Sequence, residues 1–302
     1  MPVVFAFDDR VVRPAAVALM SLMESALPDT RYEIHILHPG FDVQVMEAYA
    51  GLVAATRHSI DFHRVDPSRF AGLPAGRGSW TDIVYYRFAI PEVLGNRDRA
   101  IYSDMDVFFM GDLSSLMDLD MRQCPLGAVI GEVNGPSMQC HTYFPENTAS
   151  HVFMSGFLLM DLDRMRKEGV ARGVLEAARA YRTRLRMFDL EAMNLACERI
   201  LPLPFEYCVL ETIHEARRVE DAPEYPWLAM AHGRERLEQA KADPIVVHYA
   251  GRLGKPWRRP DPPGYYQAML DRVPGPLNRR TMRDLRKYWA GKLAAWFRGA
   301  KR

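Results

Sequence analysis

Two carboxylates spaced two apart, Asp104 and Asp106, interrupt an apolar stretch that runs from Ala100, Ile101 and Tyr102 to Val107, Phe108 and Phe109. In an extended segment, side chains at i and i+2 share a face, so this spacing lets both carboxylates converge on one point. Bare charges are costly to bury in such surroundings. A hard divalent cation, Mg²⁺ or Mn²⁺, offsets that cost, because it takes oxygen ligands and shares its shell with substrate phosphates. The other reading of the same residues is a polar turn between two strands, since a lone Asp-x-Asp is short and permissive.

Delivering two such carboxylates to one point requires a strand ending at a sheet edge, and the flanking pattern supplies one. A charged turn at residues 96–99 feeds the apolar run that ends at Asp104. Upstream, residues 3–7 read as a buried strand stopping at Asp8 and Asp9. Residues 10–26 carry Val12, Ala16, Leu19, Met20 and Met23 at helical spacing, with Pro14 in the first turn. Strand (32–37), helix (41–56) and strand (59–65, ending at Asp66) follow. Such β-α repeats predict the α/β class, a mainly parallel sheet flanked by helices. Ligands of these sheets bind outside the carboxyl ends of the strands, where Asp8, Asp66 and Asp104 all fall.

Further along, a Gly-rich loop (72–78) precedes a predicted helix at 81–94 that contains Tyr85, Tyr86 and Arg87. A strand at 126–130 leads into a polar loop at 132–150, long enough to be functional. Residues 151–160 are apolar again, helices are expected from Asp161 and over 189–199, and 200–204 reads as an edge-like extended piece around Pro202 and Pro204. The last strand spans 244–249. There is no internal repeat and no low-complexity tract.

At 302 residues, with 48% hydrophobic and 25% charged residues, the chain suits one large soluble domain with an appendage. The natural division is 1–273 and a tail at 274–302. A net charge of +1 gives no pull toward nucleic acid, but the charge is uneven: from Arg279 onward there are nine Lys or Arg and a single acid. Cys124, Cys140, Cys197 and Cys208 lack C-x-x-C spacing, which fits reduced thiols. Acidic residues arrive at Asp8, too early for a signal peptide, and no apolar run approaches the ~20 residues of a membrane span. The expectation is a cytoplasmic protein.

The tail has its own pattern. Met282, Leu285, Trp289, Leu293 and Trp296 recur at spacings of three and four, and Arg283, Arg286, Lys287, Lys292 and Arg298 supply the opposite side. Aromatic and cationic residues so arranged suit a helix lying on an anionic membrane surface, here the inner face. A helix that packs its tryptophans onto its own domain would carry the same spacing.

Four stretches have a familiar order: the opening strand ending in Asp8; Tyr86-Arg87 followed by Tyr102-Ser-Asp-Met-Asp-Val107; Ser155-Gly-Phe-Leu-Leu-Met-Asp161; and His248-Tyr-Ala-Gly251 with Lys255-Pro-Trp257. Over roughly residues 1–260 the chain resembles family 8 of the retaining glycosyltransferases, the group containing glycogenin and bacterial lipopolysaccharide galactosyltransferases. The resemblance implies a GT-A-type, Rossmann-like fold and a nucleotide-sugar donor, usually a uridine diphosphate sugar. It also implies a divalent ion, usually Mn²⁺, and a glycan or glycolipid acceptor such as a lipopolysaccharide or exopolysaccharide precursor. Matched by position, Asp104, Asp106 and His248 would be the metal ligands, a mixed oxygen and imidazole set that suits Mn²⁺. Lys255, Gly251 and Met105 would line the nucleotide diphosphate, and Ala6 and Asp8 would read the uracil. Arg87 would neutralise the diphosphate or contact the sugar, and Asp189 would face the sugar hydroxyls or the anomeric side, the two serving catalysis.

The chain also departs from the family pattern. Met154 stands where many members carry Asn, Leu190 stands at the Gln of the family's Asp-Gln-Asp, and His248 and Lys255 lie one residue further apart. Leu190 offers no nucleophile, so the expected mechanism is a same-side displacement in which a diphosphate oxygen helps deprotonate the acceptor. The acceptor walls are expected at 132–150 and 207–232. Local readings stand beside these roles. Arg87 could pair with Asp82 or Glu92, Asp189 could cap its helix, Asp8 and Asp9 could be a solvated helix start, and His248 could be an ordinary half-buried histidine. Two other functions fit parts of the pattern. One is a degenerate sugar-nucleotide or glycan-binding protein. The other is a haloacid-dehalogenase-like phosphatase, whose Asp-x-Asp normally ends the first strand, whereas at least three strands precede Asp104.

Overall fold

The computed structural model describes residues 1–75, 81–135 and 144–299, with the side chains of 291 and 293–299 also outside the description. In chain order the strands are β1 (Pro2–Ala6), β2 (Glu33–His38), β3 (Ser59–Arg64), β4 (Arg99–Ser103), β5 (Val107–Phe109), β6 (Leu126–Val133), β7 (His151–Asp161), β8 (Ile200–Leu203), β9 (Val209–Leu210) and β10 (Val246–His248). Seven of them form one sheet in the order β3-β2-β1-β4-β7-β6-β8. β1, β2, β3 and β4 are mutually parallel, β7 runs antiparallel to β4 and β6, and β8 closes the edge parallel to β6. The sheet is therefore mixed and mainly parallel, as the β-α alternation predicts, and Pro202 lies on its edge strand as expected.

Alternation along β1 sends Val3 and Phe5 to one face and Val4 and Ala6 to the other, and both faces are covered. Helices α1 (Val12–Glu24) and α2 (Val43–Ala54) pack on the first face. α1 is buried from Val12 to Leu22, so its sequence is apolar around much of its circumference. The second face is filled by Tyr85, Tyr86, Phe88, Val174, Ala178 and Met193.

Two predicted helices change form. The 10–26 segment opens as a 3₁₀ turn at Asp9–Val11, capped by Asp8, and becomes α-helical only at Val12. The 81–94 segment is a 3₁₀ helix at Asp82–Ala89 followed by a single α turn at Ile90–Val93. A three-residue turn stacks i on i+3, so Arg87 donates from Nε to the carbonyl of Val84 at 2.9 Å and points its fork along the helix.

A second, three-stranded sheet runs β5-β10-β9. The chain leaves the first sheet at the end of β4 and enters the second at Val107, so residues 104–106 form the crossover. The β5-β10 register pairs His248 with Val107, and the ladder continues as the Tyr249 N–H donates to the Asp106 carbonyl at 2.9 Å. That register fixes His248 beside Asp106.

The tail forms the helix Met282–Gly299. Its first turn is anchored by Asp284, which is buried, pairs with Arg258 Nε at 2.5 Å and exchanges capping bonds with Thr281. Leu285 and Tyr288 are half-buried, whereas Met282 and Trp289 are 68% and 61% exposed. The domain therefore does not cover Trp289. Leu293, Trp296 and Arg298 have side chains outside the described residues, as do 76–78 of the Gly-rich loop and 136–143 of the polar loop. No helix of the described residues is long and apolar enough to cross a membrane.

Candidate metal and donor site

At the crossover the Asp104 N–H donates to the Gly156 carbonyl at 2.8 Å, tying the motif to β7. Gly156 lies under the imidazole of His248. A Cβ there would stand 2.3 Å from His248 Cε1 and 3.0 Å from Asp104 Oδ2, so only glycine lets the ring reach the carboxylates. His248 Nε2 lies 3.4 Å from Asp106 Oδ1 and 3.7 Å from Asp104 Oδ2. One ligand atom from each of the three residues falls within 4.8 Å of the others. Ligands bound at about 2.1 Å to one octahedral ion are roughly 3 Å apart, so small adjustments would close this set on a divalent cation. The donor set fits Mn²⁺ or Mg²⁺, with the imidazole favouring the former.

The charges around this point are arranged in pairs. Lys255 Nζ donates directly to Asp106 Oδ2 and to the Tyr249 carbonyl at 2.6 Å. Burial pushes the Asp106 carboxyl upward, but Lys255 and then His248 hold it well below the usual carboxylate range. Burial likewise works against the charged form of His248, and Cys208 and Asp106 more than offset it, leaving the imidazole well above its ordinary value. Cys208 Sγ lies 3.4 Å from His248 Nδ1, the ring nitrogen that faces away from the carboxylates.

Arg87 is the shared cation on the other side. Buried beneath the site, it reaches Asp104 Oδ1 at 3.0 Å, Asp189 Oδ2 at 3.3 Å and the Ser155 carbonyl, with its guanidinium 4.4 Å above the Tyr102 ring. Tyr102 OH also donates to Asp104 Oδ1 at 2.6 Å. The alternative local pairing with Glu92 is not used: Glu92 pairs with Arg69 instead. Burial pushes the Asp189 carboxyl up to about 6, with Arg87 opposing and Asp104 adding to the rise. Asp189 is the first residue of the helix Asp189–Ala196 and does not cap it. The backbone ahead of that helix is satisfied by Glu191, which accepts the N–H groups of Arg186 and Met187 at 2.6 and 2.9 Å.

The family model for glycosyl transferase family 8 matches residues 2–261. The chain belongs to this family. It is a retaining glycosyltransferase with the mixed α/β fold of its structural neighbours. It is 22% identical over 259 residues to the lipopolysaccharide 1,3-galactosyltransferase of Salmonella typhimurium, covering 84% of this chain and 72% of that one. It is also 22% identical over 266 residues to general stress protein A of Bacillus subtilis, covering 85% and 87%. Among solved structures, the galactosyltransferase LgtC in complex with donor and acceptor sugar analogues superposes with a TM-score of 0.73 at 24% identity, covering 90% of this chain and 96% of that one. The phosphatase reading of Asp104-Met-Asp-Val107 falls with this membership. The match stops at residue 261, ahead of the tail helix.

Within the family framework, the structure joins Arg87, Asp104, Asp106, Asp189, His248 and Lys255 through contacts. Met105 is half-buried beside them in the crossover. Gly251 is engaged from below: its N–H donates to Glu211 Oε2 at 2.7 Å, and a Cβ on it would meet both Glu211 oxygens at 2.8 and 2.9 Å. Asp8 stays local. Its carboxylate takes the Arg10 N–H at 3.0 Å and Nε at 2.7 Å, and among the described residues no hydrogen bond or ion pair ties it to the metal cluster. Ala6 is buried at the end of β1.

Sequence reasoning missed three polar residues here. Cys208 backs His248, Glu211 backs Gly251, and Asn194 ties its helix to β7 through the N–H and carbonyl of Phe153 at 2.8 and 2.9 Å. The available signal for Glu211 was an acid beside Val209 and Leu210 and ahead of Ile213, an apolar setting like that of Asp104.

Proposed function

We propose that this enzyme transfers a hexose from a nucleotide sugar, a uridine diphosphate sugar, to a glycan or glycolipid acceptor of the lipopolysaccharide or exopolysaccharide type. It would do so with Mn²⁺, or Mg²⁺, held by Asp104, Asp106 and His248. The observation that carries this reading is the convergence of those three ligands beside Lys255, a cation-and-ammonium pair suited to a diphosphate. Bound there, the ion would supply positive charge against the departing diphosphate. Lys255 would move from Asp106 to the diphosphate as a point charge, and Gly251 and Met105 would line the same face. Asp8 and Ala6 would hold the base at the end of β1. Arg87, locked by Asp104, Asp189 and Ser155, would fix the sugar-side wall, and Asp189 would accept from sugar hydroxyls. Leu190 supplies no side-chain nucleophile, which favours same-side displacement; trapping a sugar adduct on Asp189 would overturn that route.

A donor screen with Mn²⁺, read as nucleotide release and as labelled product, tests the reaction. The expected result is one preferred uridine diphosphate hexose and no transfer in EDTA. Full activity in EDTA, or no nucleotide release with any hexose donor, would remove the proposal.

The tail would hold the enzyme at the inner face of an anionic membrane, close to a lipid-linked acceptor. Exposed Met282 and Trp289 on a helix with exposed Arg283, Arg286 and Lys287 support this role. Each basic residue near such a surface is worth about 1 kcal/mol. Co-sedimentation with anionic vesicles should weaken at least severalfold in Trp289→Glu while activity on soluble acceptors is kept. Equal binding by both proteins would leave the tail a purely structural element.

A further inference from the structure

We infer that Cys208 is the positioning residue for His248, its sulfur holding the Nδ1 edge of the ring so that Nε2 is the nitrogen presented to the cation. The inference rests on the metal reading above.

Gly156 and the two carboxylates bound the ring on its other described sides. Gly156 closes against Cε1, and Nε2 lies between the carboxylates of Asp104 and Asp106. The remaining nitrogen, Nδ1, meets Cys208 Sγ at 3.4 Å, within hydrogen-bonding range for sulfur, and both residues are buried at 6% and 1% exposure. The backbone dictates this meeting. Cys208 ends the 3₁₀ turn Phe205–Cys208, and β9 then pairs in parallel with β10, Val209 with Val247 and Leu210 with His248.

A neutral imidazole carries one N–H. If the Nε2 lone pair goes to a cation, the proton must sit on Nδ1 and needs a buried acceptor. The Cys208 sulfur fills that role.

The test is Mn²⁺ binding to the full-length protein without donor, followed by the electron paramagnetic resonance signal of free Mn²⁺. Wild type, Cys208→Val, Cys208→Ser and Asp106→Asn are compared, with thermal unfolding as the check on folding. Cys208→Val removes the hydrogen-bonding atom while adding one methyl group, for which thermal unfolding is the check, and should weaken Mn²⁺ binding about 10- to 100-fold. Cys208→Ser should restore most of the loss, and Asp106→Asn should abolish binding. Equal binding by wild type and Cys208→Val overturns the inference and leaves the metal reading intact, as does a Cys208→Ser protein as weak as Cys208→Val. A folded wild-type protein that binds no Mn²⁺ overturns both.

Discussion

Asp106 and Asp189 belong to one network of charges, and burial pushes the carboxyl of each upward, yet they end on opposite sides of the ordinary range. Asp106 has two cationic neighbours of its own, Lys255 on Oδ2 and His248 at 3.4 Å from Oδ1. Asp189 has only a share in Arg87, at 3.3 Å, which also serves Asp104, and the negative charge of Asp104 adds to its burden. Depth and cations together set the two apart: the Asp189 side chain is 2% exposed against 16% for Asp106, and Asp106 holds the larger share of cations. Asp106 is thereby kept as an anion fit to hold a cation. Asp189, raised to about 6, is the carboxyl of the two that titrates closer to neutral pH.

The largest break in this comparison is Arg87→Met, which leaves Asp104 and Asp189 without their shared cation. Removing one partner of a buried pair costs about 3–5 kcal/mol, measurable as a lowered urea midpoint. Arg87→Lys should recover only part, because an ammonium does not reach three acceptors with a planar fork. A midpoint unchanged in Arg87→Met would show that the two carboxylates do not depend on it. Next in size is Asp106→Asn, which removes a proposed cation ligand while sparing Asp189. Transfer should fall at least ~10²-fold at saturating donor and Mn²⁺ in protein shown to be folded, and the urea midpoint should also fall, because Lys255 and His248 lose their shared anion. Wild-type turnover in this variant would end the assignment of distinct roles.

How much of this was legible in sequence follows from the range of each interaction. The β-α alternation and the carboxylates at strand ends repeat with periods of two and 3.6, so they show in short windows. Arg87, Asp104, Asp106, His248 and Lys255 lie within the four motifs, and Asp189 lies outside them. Their partners were not legible. Arg87 had Asp82 and Glu92 within reach on its own segment, but a 3₁₀ turn and the fold send it to Asp104 and Asp189, 17 and 102 positions away. Asp8 went the other way, satisfied by Arg10 two residues on. That Cys208 and Glu211 would back the His248–Gly251 stretch depends on the β9-β10 register, which no local pattern specifies. In the tail, spacing marked the helix, but the docking side is set by Asp284 meeting Arg258.

A pH series sharpens the contrast from the Asp189 side. Its folded pKa, about 6, lies above the unfolded value, so its contribution to stability is fully present below about 4 and lost as pH rises through 6. Asp106 has the opposite sign: its contribution is present above the ordinary carboxylate value and lost only as pH falls below it. His35, lowered to about 4 by burial and by His63, gains stability with rising pH in the same window as Asp189. The readout is therefore the difference between wild type and Asp189→Asn, in metal-free buffer. Between pH 4 and 7 the wild type should lose stability relative to the variant by on the order of a few kcal/mol. Parallel curves would mean Asp189 titrates normally.

The smallest expected effect comes from Glu211, a third buried carboxylate, which tests whether the diphosphate face begins at Gly251. Its Oε2 takes the Gly251 N–H at 2.7 Å, its Oε1 has no hydrogen-bond partner among the described residues, and burial raises its carboxyl above the ordinary range. Glu211→Gln keeps an oxygen for Gly251 and removes the negative charge beneath the loop that carries His248 and Lys255. Like charges about 8 Å apart at an effective dielectric of about 20 repel by roughly 2 kcal/mol, and a carboxyl with a raised pKa is only partly ionised. The donor KM should therefore fall by ~3- to 10-fold with kcat unchanged, because the charge opposes the diphosphate equally in ground and transition states. An unchanged KM would place the diphosphate away from Gly251. A raised KM would mean that the charge of Glu211 holds the loop in its binding shape, making it, like Asp106, a carboxylate that works as an anion.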